Sequence, residues 1–160
     1  KQISKLEKDI LSLKASSSED SFSLSVKTKV YTRRAILFPK IIDDLNTLII
    51  AIDTIVYLLN DEDERSIVNE ILRKEMNESL NQINLANERF INKYKSISIF
   101  IPSDIDDTVI RISMTFAGFS AKAQISRQPL KFLAVEAQES CKQLFNEVIN
   151  LMRQYIENGK

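Results

Sequence analysis

Histidine is absent from all 160 residues. That absence excludes Ser-His-Asp and Cys-His catalysis, histidine phosphotransfer, the histidine nuclease motif of small helical RNases and the Glu-x-x-His pairs of di-iron bundles. Glycine occurs twice, at Gly118 and Gly159, so no glycine-rich loop can cradle a phosphate or a dinucleotide. The single cysteine, Cys141, rules out an internal disulfide and any multi-cysteine zinc site. With two glycines and three prolines, the chain also has few of the turn signals that a β fold needs at regular intervals. An excess of either sign of charge is missing as well: 22 Lys and Arg balance 22 Asp and Glu, so no net field draws the whole chain to nucleic acid or an anionic membrane. No cofactor is implied.

What the chain does have is helical periodicity. Phe38, Ile41, Leu45, Leu48, Ile52, Ile55 and Leu59 follow at steps of three and four, with Ile42, Ile49 and Val56 in a second column. A stripe that wide requires partner helices. It is not a membrane span, because Lys40, Asp43, Asp44 and Asp53 interrupt it. Upstream, Ile3, Leu6, Ile10 and Leu13 form a short coiled-coil-like seam, and Ala15 to Ser21 has the small polar composition of a linker or cap. The pattern resumes near Phe22 through Val26, Val30 and Leu37. Pro39 inside it predicts a kink or a break into two helices.

Three further helices are expected. Asn60 to Glu64 supplies capping groups and negative charge for a second helix over Asp63 to Tyr94, whose face carries Val68, Leu72, Met76, Leu80, Ile83, Asn87, Phe90 and Tyr94. Ser96 to Pro102 reads as an extended connection that plugs the core end with Ile97, Ile99, Phe100 or Ile101. Ser103 is the expected N-cap of a third helix, with Asp104, Asp106 and Asp107 in its first turn, and with Ile105, Val109, Ile112, Phe116 and Phe119 on its inner face. Gly118 in that helix implies a packing reason, since glycine costs about 1 kcal/mol relative to alanine there. A fourth helix after Pro129 carries Leu130, Leu133, Ala137, Cys141, Leu144, Val148, Leu151 and Tyr155 and closes at Asn158 and Gly159. The expected architecture is all-α: an antiparallel four-helix up-down bundle over residues 22–160, with a long kinked first helix and a lead-in over residues 1–21.

Candidate sites are few. Lys27, Lys29, Tyr31, Arg33 and Arg34 form the one dense basic group, a solvated face or an anionic-partner patch, which Lys122, Arg127 and Lys131 would extend if they lay near it. Asp43, Asp44 and Asp53 read as surface carboxylates rather than cation ligands, and capping accounts for Asp104, Asp106 and Asp107 without a metal. Cys141 lies on an apolar stripe and reads as an inert core thiol. Ala117, Ser120 and Ala121 read as a small-residue stripe for close helix packing rather than a dimer seam.

Ile3 to Leu13, Tyr31 to Leu37, Asn87 to Tyr94 and Phe100 to Ile105 together give an arrangement that is similar to uncharacterised bacterial proteins with an N-terminal membrane helix before a cytoplasmic helical bundle. The resemblance implies an anchor upstream of Lys1, a position at the inner face of the membrane, and a partner-binding role without enzymatic activity. The start at Lys1 rather than Met suits that expectation. The reading that follows is a non-enzymatic interaction or scaffold domain that binds another protein or itself. Two alternatives stand beside it: an extracytoplasmic ligand-sensing bundle binding near Arg33, Arg34 or the third helix, and a nucleic-acid accessory domain using Lys27 to Arg34.

Overall fold

The computed structural model describes the backbone of residues 2–60, 68–125 and 128–158, and the side chains of 7, 8, 25–59, 74, 75, 77–125 and 128–158. Four α-helices account for nearly all of it: α1 (Gln2–Asn60), α2 (Val68–Lys95), α3 (Ser103–Ile125) and α4 (Leu130–Glu157). No strand occurs among the described residues. The chain divides into two compact units, Lys1–Ile36 and Leu37–Lys160. The first is the leading part of α1. The second is the bundle.

The periodic stripe of α1 is the core spine. Phe38, Ile41, Leu45, Leu48, Ile52, Ile55 and Leu59 are all at most 1% exposed, and Ile49 and Val56 are buried beside them. Their partners are Ile83, Phe90 and Tyr94 of α2, Ile105, Val109, Ile112, Phe116 and Phe119 of α3, and Leu133, Ala137, Cys141, Leu144, Val148 and Met152 of α4. At about 1.5–3 kcal/mol per fully buried large apolar side chain, this cluster is what offsets the entropy of ordering four long helices.

Each neighbouring pair of helices in the bundle is also tied by polar contacts. Lys93 Nζ of α2 lies 3.4 Å from Asp44 of α1. Between α2 and α3, Asn87 and Ser113 exchange hydrogen bonds and the Tyr94 hydroxyl donates to Asp106 Oδ1 at 2.6 Å. Tyr155 of α4 donates to Asp104 Oδ1 of α3 at 3.0 Å. Asp53 of α1 accepts from Gln138 Nε2 of α4 at 2.6 Å and faces Lys142 Nζ at 3.3 Å. The partners run in opposite senses along successive helices, as in an up-down bundle.

Several local expectations are corrected. The helix is unbroken through Pro39, so the break is not realised. Residues 15–21 are helical within α1 rather than a linker, and the two compact units meet at Ile36/Leu37. The reason lies in burial: Val26 is 44% exposed, whereas Phe38 is the first buried residue of the spine. The connection before α3 is not extended; Ser98–Phe100 forms a 3-10 turn, with Ile101 buried and Ile99 pointing out. Ser103 already belongs to α3, and the Pro102 carbonyl accepts the opening bond from Asp106 N–H at 2.9 Å. Pro129 does the same for α4, accepting from Phe132 and Leu133 N–H. A proline suits this position because its own missing N–H is not needed there. The side chains of the lead-in seam at Ile3, Leu6, Ile10 and Leu13, the capping run after Asn60 and the side chains of Val68, Leu72 and Met76 lie outside the described residues.

Candidate functional site

The basic group falls on α1 in the first unit, where Lys27, Lys29, Tyr31 and Arg33 are exposed and Arg34 is half-buried. At about 100° per residue, Lys27, Tyr31 and Arg34 share one side of the helix, while Lys29 and Arg33 share the opposite side. The five residues therefore form two faces rather than one patch, and a single phosphate strand meets only part of them. Of the residues proposed to extend the group, Lys122 and Lys131 are exposed on α3 and α4, and Arg127 lies outside the described residues.

The acidic groups are used as acceptors between helices. Asp44 and Asp53 face basic or amide groups of α2 and α4, and nine residues of helix hold them about 13 Å apart, too far to share an ion. Asp104 and Asp106 hold the hydroxyls of Tyr155 and Tyr94, a role beyond capping that the primary structure does not disclose. No cluster of three metal-ligating side chains occurs among the described residues. Burial, then the hydrogen bond to Asp106 and the charges of Asp106 and Asp107, push the Tyr94 phenol well above its ordinary value. Cys141 is fully buried, and desolvation pushes its thiol up to about 12, so it is a core side chain without nucleophilic character near neutrality.

A site that the linear pattern left unmarked lies between α3 and α4. A groove of about 500 Å³ runs along this seam, lined by Arg111, Thr115, Gly118 and Lys122 on one wall and by Glu136, Ser140, Gln143 and Glu147 on the other. Phe119, Leu133, Ala137 and Leu144 form its apolar floor. Gly118 contributes to the open space of the groove: a Cβ built on it meets no neighbouring atom within 4 Å. Gly118 thus opens space rather than admitting a neighbouring backbone, contrary to the expected packing role.

Along the outer edge of the groove, Ile110, Met114, Ala117, Ala121 and Ile125 step by four, three, four and four and are all exposed. Met114 is 66% exposed and Ile125 83%, with Phe132 at 58% on the α4 side. The expected small-residue stripe is therefore split. Ala117 and Ala121 belong to this outer edge, while Ser120 turns inward and is buried. The second apolar column was legible in principle, as a period-matched set offset from the core stripe of the same helix. The core stripe of the same helix, the stronger periodic signal, masks it.

No helix among the described residues is long and apolar enough to cross a membrane. Compared with protein-family models, curated proteins and solved structures, the chain matches none.

Proposed function

We propose that this chain is a non-enzymatic interaction module, a helical bundle that presents the α3/α4 face to another protein surface. The observation that carries the reading is the exposed column Ile110, Met114, Ala121 and Ile125 beside a groove with an apolar floor and charged walls. Isolated exposed apolar residues are ordinary on a soluble surface, but a helix-long column next to a concave seam is the form that helix-in-groove recognition takes. The lack of histidine and of a glycine-rich phosphate loop supports a binding role over catalysis. Anchoring through a segment beyond these residues belongs to the same proposal and rests on the resemblance alone. The ligand-sensing alternative would draw on the same groove, since it places its ligand at the third helix.

A photo-crosslinking residue at Met114, compared with one at Tyr57 on the exposed side of α1, tests this in cells. Protein adducts that form at Met114 and not at Tyr57 are expected. Absence of any protein adduct at Met114 would overturn the reading.

A further inference from the structure

Charge along the groove is segregated by helix: the α3 wall is basic and the α4 wall is acidic. The Asp104–Tyr155 bond fixes their relative register. Counted from it at 1.5 Å per residue, Arg111 lies about 10 Å up α3 and Glu147 about 12 Å along α4, so these two sit at one end of the groove. Lys122 and Glu136 lie about 27 and 28 Å from the same bond, so they sit together at the other end. Among the described residues no ion pair bridges the groove at either end, whereas Lys93–Asp44 and Lys142–Asp53 do pair elsewhere in the bundle. Each end therefore offers one cation and one carboxylate that form no ion pair among the described residues.

We infer that the α3/α4 face docks against the same face of a second copy of this chain, related by a two-fold axis parallel to the helices. The inference rests on the interaction-module reading and names its partner. Such an axis lays α3 of one copy over α4 of the other while keeping both ends of the groove at their own level. Arg111 then meets Glu147 of the second copy, and Lys122 meets its Glu136, with each pair occurring twice. An axis perpendicular to the helices would instead set α3 on α3, bringing Arg111 against Lys122 and the two acidic walls together, an arrangement of like charges that costs several kcal/mol. Isologous pairing of one patch with itself is the commonest route to closed symmetry.

The dimensions suit this occupant. Two helices about 10 Å wide over the roughly 35 Å of α3 give a face of about 700 Å² per copy, near the ~800 Å² per partner of a stable interface. Met114, Ile125 and Phe132 supply the apolar contact.

Sedimentation of the full 160-residue chain across a concentration series reads the outcome. The unaltered chain is expected to be a dimer. Arg111→Glu with Lys122→Glu gives an all-acidic face, and Glu136→Lys with Glu147→Lys gives an all-basic one. Each of these doubly substituted chains is expected to dissociate, its dimer constant weakened by ~100-fold, because every cross-pair becomes repulsive. Mixing the two is expected to restore a one-to-one heterodimer. All four positions are exposed or on the groove wall, and unchanged far-UV circular dichroism verifies that each variant is folded.

A monomer at all concentrations, or a dimer indifferent to both double substitutions, overturns the inference. So does failure of the two reversed chains to pair. A monomer that still gives protein adducts through Met114 would leave the interaction-module reading standing with a different partner, so the two failures are told apart.

Discussion

Asn87 and Ser113 clasp α2 to α3 reciprocally: the Ser113 hydroxyl donates to Asn87 Oδ1 at 2.9 Å, and Asn87 Nδ2 donates to the Ser113 carbonyl at 3.2 Å. The clasp sits on a partly buried seam where apolar residues would pack but would not choose a register. Two directional bonds admit one alignment of the helices, and Tyr94 to Asp106, one heptad further along both helices, repeats it.

Breaking the clasp from one side strands the other partner. Ser113→Ala and Asn87→Ala are each expected to destabilise the fold by about 1–2 kcal/mol, and the double variant by less than their sum, with a coupling of about 1 kcal/mol. Urea denaturation of the four chains measures it; additive effects would show that the two residues do not act as a pair.

Ser120 tells the reverse story. It occupies the α3 position one heptad after Ser113, is 6% exposed, and its hydroxyl has no hydrogen-bond partner. Ser120→Ala removes the orphaned group and improves helix propensity, so a gain of about 1 kcal/mol is expected. A loss in the same denaturation assay would mean that the hydroxyl is satisfied in solution.

Gly118→Ala should stabilise α3 by about 0.5–1 kcal/mol, since alanine is the better helix former and the added Cβ enters open space. Thermal unfolding monitored at 222 nm is the check. A lowered Tm would show that the seam is narrower than described.

Alkaline conditions should weaken the fold in two stages. Cys141 and Tyr94 both bind their protons more tightly when folded than when unfolded, so the unfolded chain releases them first and stability falls as pH rises. The stability associated with Cys141 is fully present below its ordinary value of 9.0 and is lost progressively up to about 12. Tyr94 adds its own loss above its ordinary value of 10.0. A pH series of urea midpoints is expected to be flat up to about pH 9 with respect to these groups. Cys141→Ala should remove the earlier stage while leaving the later one. In keeping with burial, the unaltered thiol should react with an aromatic disulfide reagent at pH 8 only at the rate of unfolding.

The primary structure carried the helices and the core. Seven of seven residues in the α1 stripe are buried because a helix face repeats every three or four positions wherever the helix is placed, and apolar side chains at that period have one low-energy destination. Cys141 as an inert core thiol follows from the same rule. By contrast, propensity misjudged Ala15 to Ser21, since four serines are weak helix formers but do not end a helix that propagates from both sides. Ser103 was a sound cap by composition, yet the Pro102 carbonyl opens the helix one residue earlier.

What remained for the tertiary structure was everything that depends on the azimuth and register of one helix against another. The sequence by itself determined which residues go inside, through a local periodicity. It did not determine that Asp104 and Asp106 would serve tyrosines from two other helices, that Gly118 would face a void, or that Arg111 and Lys122 would line one wall of a seam with Glu136 and Glu147 on the other. Those relations join positions distant in the chain, and their distances are set only when four stripes pack into one core and rotate each helix to its final angle.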